Sequence, residues 1–118
     1  MMPKPAIVAA WAVLAGALGC GGSIPPPNDA WAAAQADVGR AQASGAPDVP
    51  DAKLHLQLAQ ESLQRAKRLM GTDNDRSASL CGVASSEAQL AFALAKEARA
   101  EDEARSAQAK VQKEGDVR

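Results

Sequence analysis

The chain has 118 residues, a formal charge of −1 and 47% apolar residues, yet only three aromatics, Trp11, Trp31 and Phe92. That length leaves room for one domain, and a near-neutral chain lacks the basic excess that binds polyanions, which excludes nucleic acid as a partner. Alanine accounts for 28 residues, and burying its methyl group is worth about 0.8 kcal/mol against roughly 1.5–3 for leucine, so any core gains little per residue.

The chain opens with Lys4 followed by an uncharged run of 14 residues, 6–19, rich in Ala, Val and Leu. A bilayer span needs about 20 apolar residues; a shorter run behind a positive start predicts a cleavable signal peptide over residues 1–19. The run ends Ala17, Leu18, Gly19, Cys20. These four residues resemble the lipobox of bacterial prolipoproteins, with Ala17 where that pattern prefers leucine. The resemblance implies lipidation at Cys20, with the new amino terminus acylated as by palmitate. Ala17 and Gly19 also satisfy the small-x-small rule of ordinary cleavage, so a soluble secreted periplasmic protein is the alternative.

Two or three acyl chains, at about 0.8 kcal/mol per buried methylene, hold a protein to a membrane permanently without a spanning helix. The membrane lipid is then a partner through Cys20. Gly21 stands where the sorting rule of enteric bacteria reads Asp for inner-membrane retention, which implies an outer-membrane anchor facing the periplasm. Residues 20–27 read as a tether: Gly21, Gly22 and Ser23 are flexible, and Pro25, Pro26 and Pro27 favour extended polyproline.

From residue 28 the pattern is helical. Asn28 or Asp29 can cap a first helix, 28–44, in which Trp31, Ala34, Val38, Ala41 and Gly45 recur at steps of 3 and 4. Gly45, Ala46 and Pro47 stop it. A second helix, 50–70, carries Ala52, Leu56, Ala59, Leu63, Ala66 and Met70 at heptad spacing and ends at Gly71. Leu54, Leu58 and Leu69 widen its apolar face, and Glu61 and Arg65 are spaced to pair on its outside. The third and longest helix, 74–113, starts at a cap from Asp73 or Asn74. It places Ser77, Cys81, Ala84, Ala88, Ala91, Ala95 and Ala98 on one seam, with Leu80, Val83, Leu90 and Leu94 on a second stripe beside it.

Two adjacent stripes suit a helix that touches two neighbours, so helices one and two are expected to pack on helix three. Gly82 is a weak point where the helix could bend, at a cost of about 1 kcal/mol relative to Ala. Past Ala98 the face shifts to Ala100, Ala104, Ala107 and Val111, and the helix is expected to outrun its bundle. Residues 115–118 read as a disordered tail. The expected fold is all-α: an alanine-rich antiparallel bundle of three helices, spanning residues 28–114.

Ala52, Leu56, Ala59, Leu63 and Ala66, together with Ser86, Glu87, Ala88, Gln89, Leu90 and Ala91, resemble the envelope family catalogued as domain of unknown function 4398. The resemblance covers about residues 30–111 and rests on heptad periods. It implies an exported or lipidated helical protein and carries over no catalytic residue.

Chemistry has few candidates. His55 is the only histidine. It stands four residues after Asp51, a spacing that could set two metal ligands or an acid–base pair on one helix face; a structural zinc wants four ligands. Ser85 and Ser86 lack the strained turn of a nucleophile elbow. Cys81 has no intrachain partner once Cys20 is lipidated. It reads either as an intermolecular disulfide or as a small apolar residue within the seam. Residues 101–103, flanked by Arg99 and Arg105, form a solvated charged face. Neither catalysis nor a cofactor is expected. The pattern points to a membrane-anchored structural or protein-interaction module, docking on another envelope protein or on itself; the alternative is a small-molecule or metal-binding helical protein using His55.

Overall fold

The computed structural model describes residues 24–117. The expected signal peptide, Cys20 and the first part of the expected tether lie outside the described residues. Three helices follow in order: α1 (Asn28–Ala43), α2 (Pro50–Leu69) and α3 (Asn74–Asp116), with a short 3-10 turn, Ala46–Asp48, between the first two. The fold is all-α.

Each boundary has a local cause. Pro27, not Asn28 or Asp29, takes the capping position of α1, and its carbonyl accepts the Trp31 N–H at 2.9 Å. Pro27, at φ −80° and ψ 57°, is not extended but closes a tight turn in which the Asn28 N–H donates to the Pro26 carbonyl at 2.9 Å, and the helix starts directly after it. At the other end the Ser44 hydroxyl donates to the Ala41 carbonyl at 2.7 Å, and Gly45 turns the chain at φ +92°. Only glycine adopts that backbone region without strain. Pro50 sits in the first turn of α2, where its missing N–H removes no bond. Gly71 repeats the left-handed turn at φ +92° and donates its N–H to Asn74 Oδ1 at 2.7 Å. Asp73 then caps α3 by accepting the Arg76 N–H at 3.1 Å.

α3 continues unbroken through Gly82 and through Gly115, three residues past its expected end. Both glycines lie on exposed helix with nothing beside them. At Gly82 the burial of Cys81 and Ala84 on either side outweighs a penalty of about 1 kcal/mol. Residues 115 and 116 are therefore helical rather than tail.

Cross-helix contacts fix the directions. Ala66 meets Ser77 and His55 meets Glu87, so α2 and α3 run in opposite senses. Asp37 meets Ser85 and Ser44 meets Arg99, so α1 and α3 run in the same sense. The α2–α3 contact is the most extensive, followed by α1–α3.

The core is almost wholly alanine. Ala34, Ala41, Ala46, Ala52, Ala59, Ala66, Ala84, Ala88 and Ala91 are fully buried; Val38 and Leu56 add bulk among the buried residues, and Val49, Phe92 and Leu94 pack half-buried against them. Ser77, also fully buried, donates to the Ala66 carbonyl at 2.7 Å, which satisfies its hydroxyl at the tightest point of the α2–α3 contact.

One expectation is corrected here. Helices one and two do pack on helix three, but the second stripe of α3 is covered only in part: Leu80 and Leu94 are half-buried, Leu94 against the core, whereas Val83 and Leu90 are 48% and 43% exposed, and α1 packs on the Ser85–Gln89 side. Alanine on all three seams lets the helices meet chiefly along the seams, so Leu54, Leu58, Val83 and Leu90 beside them stay exposed while Leu69, Leu80 and Leu94 are half-buried. By length and composition α3 could cross a membrane; its Ser77–Ala95 seam is buried against α1 and α2.

Candidate functional site

Two polar clusters bridge the helices. In the first, His55 on α2 lies 2.6 Å from Glu87 on α3, Nδ1 to Oε2, with both side chains about 27–28% exposed. An ionised carboxylate only accepts, so Nδ1 is the nitrogen that carries the proton. Asp51, the partner expected from spacing, lies elsewhere: it lines a shallow depression with Val49, Leu94, Glu97, Ala98 and Glu101. His55 faces α3, and the register between two helices brings Glu87 to it, which periodicity within α2 does not encode.

The second cluster centres on Asp37 of α1. The Ser85 hydroxyl donates to Asp37 Oδ2, Gln89 Nε2 donates to the same oxygen at 3.2 Å, and Arg40 pairs with Oδ1 at 3.2 Å. The Ser85 bond, with those of Gln89 and Arg40, holds the Asp37 carboxyl below its ordinary value of 3.8, against an opposing push from burial. Sequence reasoning missed this cluster. Asp37 stands one residue before Val38 of the α1 seam, and Ser85 and Gln89 share one face of α3 at a spacing of four.

These groups do not combine into a catalytic set. Ser85 and Glu87 are two residues apart on one helix and so point to different sides; Ser85 faces α1, whereas Glu87 faces α2. Ser86 is exposed. Among the described residues no group of three His, Cys, Asp or Glu side chains could hold a metal ion. Cys81 is 1% exposed, and burial raises the pKa of its thiol. A neutral, covered thiol packs as a small apolar side chain and offers nothing to an intermolecular disulfide.

The surface holds more. Leu54 and Leu58 on α2 are 54% and 39% exposed, and Val83 and Leu90 on α3 are 48% and 43% exposed; Leu58, Val83 and Leu90 lie on the side of the His55–Glu87 pair away from α1, and Leu54, two residues before the buried Leu56, lies at the outer edge of that side. At one end of this strip lies a depression lined by Arg65, Arg68, Leu69, Arg76 and Leu80; at the other lies the one that contains Asp51, Glu97 and Glu101. The ion pairs of the described residues do not include one between Glu61 and Arg65, which stays beside the other arginines.

Against families of known proteins, the chain matches the model described as Domain of unknown function (DUF4398) over residues 29–114. The chain belongs to this family. The match takes in all three helices of this DUF4398 domain, from the first turn of α1 to the last turns of α3. No curated protein and no solved structure matches the chain.

Beyond the packed helices the DUF4398 domain projects a single helix. Arg99 still reaches back to the Ser44 carbonyl at 3.1 Å, but from Ala100 to Val117 every residue is exposed, Val111 at 69%. Arg105 pairs with Asp102 at 3.2 Å along this segment, which is a local surface contact.

Proposed function

We propose that this protein is an envelope lipoprotein, anchored to the outer membrane through acylated Cys20 and facing the periplasm, whose helical domain is a non-catalytic protein-interaction module. The observation that carries the module reading is the apolar strip Leu54, Leu58, Val83 and Leu90, exposed on a domain whose own core is alanine. Large apolar side chains gathered on one face mark interaction surfaces. The helix beyond Ala100 adds a second unpartnered element.

The anchor reading is supported by the leader, residues 1–19, and by the small residues before Cys20. From Cys20 the chain reaches the domain in a few residues, and the Ile24 carbonyl accepts a bond from Asn74 Nδ2 at 2.6 Å, at the turn between α2 and α3. That end of the domain is therefore the one next to the anchor.

The test is the full-length chain expressed in a bacterium with a lipoprotein pathway, compared with Cys20→Ala. The wild-type product carries the mass of a diacylglyceryl group and partitions into detergent; the variant lacks both. Crosslinking in intact cells then captures protein partners of the anchored chain. Equal mass and partitioning of the two forms would remove the anchor in favour of soluble secretion, and an anchored chain that crosslinks to no protein, itself included, would remove the module.

A further inference from the structure

The α2–α3 face away from α1 has a polarity that fits one partner above others. Its centre is largely apolar, with Leu54, Leu58, Val83 and Leu90 around the hydrogen-bonded pair His55–Glu87. One end is basic, where Arg65 and Arg68 of α2 come beside Arg76 of α3. The other is acidic, where Asp51 of α2 comes beside Glu97 and Glu101 of α3. Arg76 and Glu97 are separated by about 30 Å of helix.

We propose that this face binds a second copy of the chain about a two-fold axis that runs perpendicular to the helices near His55 and Glu87. An isologous interface requires a surface that complements itself after a half-turn. Turning the face about that axis sets the arginine-lined end of each copy over the carboxylate-lined end of the other, with Arg76 directly opposite Glu97. The apolar residues match as well. Leu54 and Leu58 lie on either side of residue 56, while Val83 and Leu90 lie on either side of residues 86 and 87, and these two midpoints are neighbours across the α2–α3 contact, as His55 and Glu87 show. One axis therefore serves both helices, bringing Leu54 against Leu58 and Val83 against Leu90.

The same polarity disfavours the other occupants. An anionic lipid surface attracts a uniformly basic face, and here one end repels it. An unrelated protein would need the same centred pattern, which a second copy supplies by identity. α1 and its Asp37 cluster take no part, because they lie against the other side of α3. The proposal rests on the interaction-module reading but does not need the anchor.

The test uses two full-length copies carrying different tags, co-expressed and recovered through one tag from solubilised membranes. Wild-type copies are expected to co-purify. Arg76→Glu and Glu97→Arg are each expected to lower recovery with an identical copy at least tenfold, because like charges then face each other. Co-expression of the R76E chain with the E97R chain restores recovery to within about twofold of wild type, since both contacts are again of opposite sign. This rescue also distinguishes a lost contact from a lost fold. Leu90→Asp, with helicity checked by circular dichroism, abolishes recovery without rescue by either charge variant.

Failure of wild-type copies to co-purify overturns the proposal, as does a mixed charge pair recovered no better than either variant with itself. If in-cell crosslinks to a different envelope protein persist alongside that failure, the self-pairing is wrong and the module stands. If they vanish too, both readings fall.

Discussion

Leu56→Ala tests whether the alanine core behaves as the packing implies. Leu56 is 4% exposed and is the one fully buried leucine in a cluster whose other buried members are Val38 and alanines, with Val49, Phe92 and Leu94 packed half-buried against it. Truncation removes three carbons, about 2.4 kcal/mol at about 0.8 kcal/mol each. A cavity adds to this, by an amount that depends on how far the neighbours can relax into it. Here Ala41, Ala52, Ala59, Ala88 and Ala91 have no side-chain torsion with which to fill the space, which leaves only the half-buried Val49, Phe92 and Leu94 at the edge of the cluster to move into it. The expected loss is therefore about 3–4 kcal/mol, within the range of about 2–5 for such truncations. A domain of this size has a total stability of roughly 5–13 kcal/mol, so the loss is a large share. Urea denaturation of the chain from Ile24, followed by far-UV circular dichroism, measures it from the shift in midpoint at constant slope. A loss under about 1 kcal/mol would show that the three helices do not meet at Leu56 and would refute the packing.

Gly82→Ala should raise stability by about 1 kcal/mol, because the site is exposed helix with nothing within 4 Å of an added Cβ; thermal denaturation reads it as an increase in Tm. Ser77→Ala should cost about 1 kcal/mol in the same assay, from loss of the buried bond to the Ala66 carbonyl. Asp37 sets an acid limb in the pH–stability profile. Its folded pKa lies below the ordinary 3.8, so the contribution is fully present above 3.8 and is lost as pH falls through the folded value. Asp37→Asn should flatten the profile below pH 3.8 relative to wild type, and an unchanged slope there would count against the Ser85 contact.

The helices were legible because alanine and leucine recur at helical spacing and because Gly45, Pro47 and Gly71 punctuate them. Both turn glycines take the positive φ that their positions suggested. What a single helix cannot encode is its register against a neighbour. His55 was therefore read with Asp51 on its own helix and found with Glu87, and Asp37 was passed over although it joins three partners. The apolar stripes misled in a related way. Leu54, Leu58, Val83 and Leu90 have the spacing of a core face, and spacing alone does not say whether the seam beside them already suffices.

That inversion, small residues inside and leucines outside, has an energetic consequence for the domain. Alanine seams allow close helix approach, but each buried methyl contributes only about 0.8 kcal/mol, and ordering each backbone residue costs about 1–2 kcal/mol. The four strip residues retain 39–54% of their exposure, so a good part of the apolar burial the sequence could supply is still unused in the isolated chain. Covering the strip would add burial without ordering new backbone, since α2 and α3 are already helical. Stability of this domain should accordingly rise with whatever occupies the strip. For the self-pairing proposed above, the midpoint of thermal unfolding should climb with protein concentration for the wild-type chain and stay flat for Leu90→Asp.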